Sequence, residues 1–152
     1  MHKEIVKIGG YTYEDGSVYV GGWNQKGQKH GFGRLLLSDG TVYEGQFTNG
    51  LCSGLGVMSF ADGSLYEGEF MQGWFHGHGV FWRGDGMKYE GEFRGGRVWG
   101  LGLVTFNDQS HGFPRYEGFF QDCRLLRKKS CPEIVLRAQK TSFMARSQAN
   151  ED

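Results

Sequence analysis

The chain has 152 residues, in which 17 lysines and arginines balance 17 aspartates and glutamates, so its overall charge indicates no nucleic-acid partner. The first ten residues lack a long apolar run, and no stretch approaches the roughly 18 to 20 apolar residues of a membrane span. We therefore expect neither a secretory signal nor a transmembrane helix. The three cysteines lack C-x-x-C spacing, which favours reduced thiols in the cytosol over a disulfide or zinc framework.

Charge and glycine are both distributed in a pattern. Residues 1–123 hold 10 basic and 14 acidic side chains, a balance of −4, whereas residues 124–152 hold 7 basic and 3 acidic ones, a balance of +4. An acidic body therefore carries a basic tail. The 27 glycines recur at a fixed period, which predicts ordered repeats rather than disorder.

Each repeat begins at an Asp-Gly pair and contains "YEGEF" or a close variant. Counted from these pairs, the repeats lie at about residues 15–38, 39–61, 62–84 and 85–107, with a partial copy at 108–126. The partial copy carries four additional residues before Tyr116. We expect one repeat domain over residues 1–126, followed by a basic C-terminal segment over residues 127–152.

Each copy predicts a β-hairpin. In the copy that contains Tyr66, alternation places Tyr66, Gly68 and Phe70 on one face of a strand and both glutamates on the other. Asn49-Gly50 is typical of the turn within a hairpin, and Asp62-Gly63 of the turn between copies. Two strands in 23 residues leave no room for a crossover helix, so an antiparallel meander is expected.

Keeping like faces together predicts a row of glycines that crosses the sheet. The row consists of Gly45, Gly56, Gly68, Gly79, Gly91 and Gly102. Beside it, each tyrosine is expected opposite a residue such as Met58 or Phe81, and each phenylalanine opposite a glycine, as Phe70 opposite Gly77. Rings that lie over the neighbouring glycines recover the packing that glycine lacks.

The opposite face alternates glutamate with aliphatic residues and is expected to face solvent. Glu44, Glu67 and Glu90 recur here with the repeat, either as solvated positions or as a ladder that attracts a basic peptide. The predicted fold is mainly β: a single-layer, elongated antiparallel meander of stacked hairpins that forms a groove on its aromatic face.

The basic tail predicts one helix over about residues 131–146. Ser130-x-x-Glu133 has the pattern of a capping box, with Pro132 in the first turn. We expect the fold to end in this one C-terminal capping α-helix on the last repeat, as repeat arrays need; a helix dedicated to a partner is the alternative.

The repeating unit D-G-x-x-Y-x-G-x-[WF]-x-x-G-x-x-x-G-x-G resembles the MORN repeat, and the chain resembles the small members of this family. The resemblance implies stacked MORN hairpins in a non-enzymatic, cytoplasmic adaptor that binds the tail of class III unconventional myosins. It also implies residence in photoreceptors and in actin-based protrusions such as rhabdomeres, filopodia and stereocilia. The groove positions that it implies for partner binding are Tyr19, Trp23, Tyr43, Phe47, Tyr66, Phe70, Tyr89 and Phe93.

The sequence argues against catalysis, cofactors and small-molecule substrates. No G-x-G segment follows a strand and opens a helix, as nucleotide binding requires. His76 and His78 lie two residues apart without an evident third ligand, so no metal site is predicted. The recurring glutamates lie about 10 Å apart on alternate strands, too far for a retaining carboxylate pair.

Two functions remain open. In the first, the aromatic groove binds a segment of a myosin tail, because an uncovered apolar face usually marks an interaction site. In the second, a basic cluster attaches the chain to anionic phospholipids, with about 1 kcal/mol from each cation. This cluster consists of Arg124, Arg127, Lys128 and Lys129. High salt should abolish lipid binding through it and largely spare groove binding.

Overall fold

The computed structural model describes residues 4–106 and 115–151, which form one antiparallel sheet and one C-terminal helix. The strands pair in sequence order, as a meander must. They are β1 (Lys7–Thr12), β2 (Val18–Trp23), β3 (Lys29–Leu36), β4 (Val42–Thr48), β5 (Leu51–Ser59), β6 (Leu65–Met71), β7 (Trp74–Trp82), β8 (Met87–Arg94), β9 (Arg97–Phe106), β10 (Arg115–Gln121) and β11 (Arg124–Lys128). The predicted mainly β meander is confirmed, whereas the four-residue insertion before Tyr116 lies outside the described residues.

The glycine row has the predicted register. Gly45 pairs with Gly56, Gly56 with Gly68, and Gly68 with Gly79, and the row continues through Gly91 to Gly102. We call the side of the sheet that carries the tyrosine and phenylalanine of each "YEGEF" the ring face, and the opposite side the glutamate face.

The predicted pairing of each phenylalanine with a glycine of its own hairpin is wrong. Phe70 lies opposite Phe75, because the hairpin contains a bulge in which one residue of β6 faces three of β7. Gly77 lies in this bulge with φ +68°, a conformation that glycine adopts without steric cost. The carboxylate of Glu69 accepts the main-chain N–H of His78 at 2.8 Å, which holds the bulge in place.

The same bulge recurs in the hairpin formed by β8 and β9. There the Glu92 carboxylate accepts the main-chain N–H of Leu101 at 2.6 Å. The second glutamate of "YEGEF" is thus a ligand for the main chain of its own hairpin, and this role explains why it repeats.

The turns within the hairpins explain the Asn-Gly signal. In the four hairpins from β4 onward both central residues have positive φ, as in Asn49 (+49°) and Gly50 (+93°), which is the requirement of a type I′ turn. The last hairpin has Asp122 (+51°) and Cys123 (+68°) in these places, so a side chain occupies a position where earlier copies carry glycine.

Replacing Cys123 by glycine should therefore stabilise the fold. A non-glycine residue in the left-handed region costs about 1–2 kcal/mol, so we expect Cys123→Gly to raise the free energy of unfolding by about 1 kcal/mol in urea titrations. Gly73→Ala, which imposes the same strain on the equivalent turn at φ +90°, should lower it by a similar amount. An unchanged midpoint in both variants would contradict this account.

The helix α1 (Pro132–Asn150) begins one residue later and ends four residues later than the predicted range of 131–146. The predicted capping box is absent: the N-cap residue is Cys131, whose side chain makes no capping hydrogen bond. The main-chain N–H of Cys131 instead donates to the Glu117 carboxylate at 2.7 Å. Its thiol donates to the carbonyl oxygen of Gly102, so the sheet itself holds the start of the helix.

The helix also does not occupy the position of a cap at the end of the sheet. It packs along one side of the sheet from β9 back to β4, rather than over the free edge of β11. Val135, Ala138 and Ala145 are buried on its inner side. The prediction of a terminal cap is therefore corrected: α1 is a second layer over the middle repeats. It is not long and apolar enough to cross a bilayer, and no other helix occurs in the described residues.

Candidate functional site

The nine buried aromatic residues of the ring face form a single file of edge-to-face contacts, and the partly buried Phe75 stacks on Tyr66 with ring centroids 4.0 Å apart. Neighbouring rings have centroid distances of 4.9 to 5.4 Å and interplanar angles of 83° to 88°, a geometry that the ring quadrupole favours. In order, the file is Trp23, Tyr19, Phe47, Tyr43, Phe70, Tyr66, Phe93, Tyr89 and Phe120. The phenylalanine of each copy thus bridges its own tyrosine and that of the preceding copy.

Each tyrosine is fixed at both ends by the geometry of "YEGEF". The Tyr66 hydroxyl donates to the carbonyl oxygen of Glu69 at 2.7 Å, three residues along the chain. To reach this carbonyl the ring lies over Gly68 and Gly79, where an added Cβ atom would come within 2.6 Å of the hydroxyl oxygen. The tyrosine therefore requires glycine at both positions.

The same hydrogen bond recurs at Tyr19, Tyr43 and Tyr89. Burial raises the pKa of the Tyr19 phenol to about 12 and also raises the pKa of the other three. All four phenols stay protonated at neutral pH, so they remain hydrogen-bond donors.

The structure places the eight predicted groove residues together, but in the core of the ring face. Each of them is between 0 and 8% exposed. These residues form the buried layer of the ring face, so a ligand on this face would contact mostly the partly buried side chains that lie over them. Their direct contact with a partner stays a prediction.

The side chains at the surface of the ring face come from the second strand of each hairpin. Met58 lies opposite Tyr43 and Phe81 opposite Tyr66; both are partly buried and pack against the ring file. Leu35 and Val104 hold the equivalent places in other copies. The residue two positions after each G-x-G signals this row in the sequence, but these residues vary in type and were not assigned to the site.

Over the middle repeats the glutamate face is covered by α1 and not solvated, contrary to the expectation. Glu67 and Glu90 are each 4% exposed, because α1 lies over them. The Arg146 guanidinium approaches the Glu67 carboxylate to 2.8 Å, and the Ser142 hydroxyl donates to the same carboxylate at 2.8 Å. The Gln139 amide donates to Glu90 at 2.8 Å.

The glutamates therefore serve the chain itself. Glu67 and Glu90 point away from the ring face and are occupied by α1, so they do not contact a peptide bound to that face. Glu44 also lies on the glutamate face, where Arg34 approaches it to 3.8 Å. The assignment of Glu67 and Glu90 as charge contacts for a peptide is corrected for this reason, whereas a contact of Glu44, whose side chain is 36% exposed, stays a prediction.

His78 lies between two glutamates on the glutamate face. Its Nδ1 atom is 3.5 Å from the Glu69 carboxylate and its Nε2 atom is 3.9 Å from that of Glu92. His76 instead lines an open cavity of about 320 Å³ beside Trp99. Over residues 4–106 and 115–151, no cluster of three or more histidine, cysteine or acidic residues is arranged to hold a metal ion.

The basic cluster of the tail lies at the end of the sheet. Arg124, Arg127 and Lys128 belong to β11, Lys129 follows it, and all four are exposed. The Arg127 guanidinium lies 5.7 Å from the centre of the Phe119 ring. Charged side chains on an edge strand discourage pairing with other strands, which gives these cations a structural role of their own.

The comparisons with known proteins agree with this architecture. The family model of the MORN repeat matches residues 19–42, 43–65, 66–88 and 89–111. The chain is also 73% identical over 143 residues to the MORN repeat-containing protein 4 homolog of Drosophila melanogaster, with 94% of this chain and 72% of that protein covered.

Proposed function

The chain belongs to the MORN-repeat family, and from this premise we propose that it is a non-enzymatic adaptor whose ring face binds a segment of a protein partner. One observation carries the proposal. The helix α1 covers the glutamate face of the middle repeats and therefore leaves the ring face uncovered by any helix of the described residues. The surface of the ring face carries a row of half-buried apolar side chains. A continuous apolar surface of this kind usually marks an interaction site.

The partner that we propose is the tail of a class III unconventional myosin, in the cytoplasm of actin-rich protrusions or photoreceptors. The support for this partner is the resemblance to the small MORN proteins that bind it. An extended segment suits the ring face, because the Met58 and Phe81 positions recur once per repeat and can each accept one apolar side chain.

A titration calorimetry experiment with a class III myosin tail fragment tests the proposal. We expect Met58→Ala with Phe81→Ala to weaken binding at least tenfold, since truncation of central apolar contacts in an interface costs about 1 kcal/mol or more each. These residues are preferable to Phe70 and Phe93, which are 4% exposed and belong to the core. Truncation of the latter pair would test folding rather than binding.

Met71→Ala is the matched control, because Met71 is apolar and 52% exposed but lies next to Phe70 and points to the opposite face. It should bind like the unmodified chain. Unchanged affinity in the folded double variant would contradict the ring face as the site. Absence of binding by the unmodified chain would overturn the proposed partner.

Attachment to anionic phospholipid is the second candidate, supported by the exposed cations of β11 and Lys129. The calorimetric series separates the two at raised ionic strength. Binding through four surface cations should disappear, because salt screens exposed charges, whereas binding through apolar contacts should persist.

A further inference from the structure

The outer side of α1 carries an apolar strip that the fold does not use. Leu136, Phe143 and Met144 are 51%, 62% and 51% exposed. With 3.6 residues per turn, Leu136 and Phe143 lie within about 20° of each other around the helix axis, and Met144 lies about 80° away. The inner side is already filled by Val135 and four small or polar residues. The three exposed side chains therefore contribute little to packing against the sheet.

Two positive charges accompany this outer strip, together with one exposed acidic residue, Glu133, which lies about 60° from Leu136 in the first turn of the helix. Lys140 lies about 40° from Leu136 around the axis, between Phe143 and Met144, and Arg137 lies beside Met144. Both are exposed, and neither forms an ion pair within residues 4–106 and 115–151. Arg146, by contrast, is already engaged by Glu67. The strip thus combines apolar side chains with two cations and one carboxylate, a balance of +1.

We propose that the outer strip of α1, defined by Leu136, Arg137, Lys140, Phe143 and Met144, binds an amphipathic helix whose apolar stripe is flanked by acidic residues. Spacings of seven and eight residues along one side of a helix match the anchors by which two helices pack. At about 1.5 Å per residue, the strip from Leu136 to Met144 is about 12 Å long, just over two turns of α1. Acidic flanks would meet Lys140 and Arg137 across the contact.

The charge of the strip argues against a second copy of this chain as the occupant. Two copies would bring Lys140 and Arg137 of one strip against the same cations of the other, and like charges in a contact are unfavourable. A partner of opposite charge avoids this repulsion.

This site goes beyond the proposed function, because it lies on the other side of the sheet from the ring face. The ring face contains the ring file, whereas α1 packs on the glutamate face over Val80, Leu103 and the buried glutamates. A partner on each side meets a different set of residues, so both sites can be filled together. The adaptor would then join two partners across one sheet.

The test uses a designed 21-residue helical peptide with leucine at its apolar positions and glutamate beside them, and a twin in which lysine replaces glutamate. Fluorescence anisotropy would follow binding to the full chain at concentrations where the peptides are monomeric. We expect the glutamate peptide to bind at least tenfold more tightly than its twin. Leu136→Ser with Phe143→Ser should reduce that binding at least tenfold.

Charge reversal makes the test specific. In Arg137→Glu with Lys140→Glu, the preference should invert, so that the lysine peptide binds more tightly than the glutamate peptide. All four altered positions are exposed, so the folded state should persist, which circular dichroism would verify. Met58→Ala with Phe81→Ala, on the ring face, should leave the affinity for the glutamate peptide unchanged.

Three results would overturn the proposal. Equal affinity for the two peptides would remove the role of the cations. Binding to phosphatidylserine vesicles without binding to the glutamate peptide would make the strip a membrane contact. Self-association in sedimentation that is lost in Leu136→Ser with Phe143→Ser would make the strip a contact between copies. A failure here leaves the myosin titration unaffected, since that experiment uses another ligand and another face.

Discussion

Gly68→Ala is expected to lower the free energy of unfolding by about 3 kcal/mol, the upper part of the range for overpacking a filled site. An added Cβ atom would lie 2.6 Å from the Cα atom of Gly79, 2.6 Å from the Tyr66 hydroxyl oxygen and 2.7 Å from the carbonyl oxygen of His78. Two of these atoms belong to the main chain. The collision is therefore relieved only if the strands separate or the Tyr66 ring moves away from its position over Gly68 and Gly79.

Gly9→Ala is the control for this prediction. Gly9 also lies in a strand of the sheet, but an added Cβ atom there meets nothing within 4 Å. We expect its effect on the free energy of unfolding to stay within about 0.5 kcal/mol, as for most surface substitutions. Urea unfolding followed by tryptophan fluorescence would measure both variants. Equal stabilities would show that the Tyr66 ring is not confined by the glycine row.

Arg146→Ala is expected to destabilise the fold by about 2 kcal/mol. The variant leaves the Glu67 carboxylate buried under α1 with Ser142 as its remaining side-chain partner, and an uncompensated buried charge is costly. The expected loss stays below the 3–5 kcal/mol typical of fully buried pairs, because the side chain of Arg146 is 49% exposed while that of Glu67 is 5% exposed.

A second substitution separates the charge from the packing. Adding Glu67→Gln to Arg146→Ala removes the buried charge while retaining an amide that can bond to Ser142, so the double variant should recover part of the lost stability. Arg137→Ala, on the outer side of the same helix, should be nearly neutral. If Arg146→Ala were also neutral, the ion pair would not be what holds α1 on the sheet.

The repeat pattern was sufficient to predict the meander and its glycine row. Alternation with period two leaves one register in which Gly45, Gly56 and Gly68 align, and the tyrosine rings tolerate nothing larger there. The pairing of Phe70 with Phe75 was missed for a local reason. Strict alternation contains no bulge, and the signal that marks one, a glutamate opposite the first glycine of G-x-G, becomes clear only from its bond to the main chain.

The position of α1 over the sheet was missed because the recurring glutamates were expected to face solvent. Glu67 and Glu90 repeat on a face that also carries Val80 and Leu103, and such a face is solvated only if nothing covers it. The tail holds the complementary groups, Arg146 among them, but they are separated from the glutamates by about 50 to 80 residues in sequence. A single sequence does not reveal such pairings.

The position of α1 gives the array two mechanical regimes. In a stack of hairpins each copy normally touches only its neighbours, so a local opening travels one copy at a time. Here a rigid rod spans β4 to β9 and ties non-adjacent copies together, so these strands twist and open as one block. The strands β1 to β3 extend beyond α1 and are not tied together by it. This end of the sheet can therefore adjust its twist to a bound segment, while the strands under the helix keep their shape.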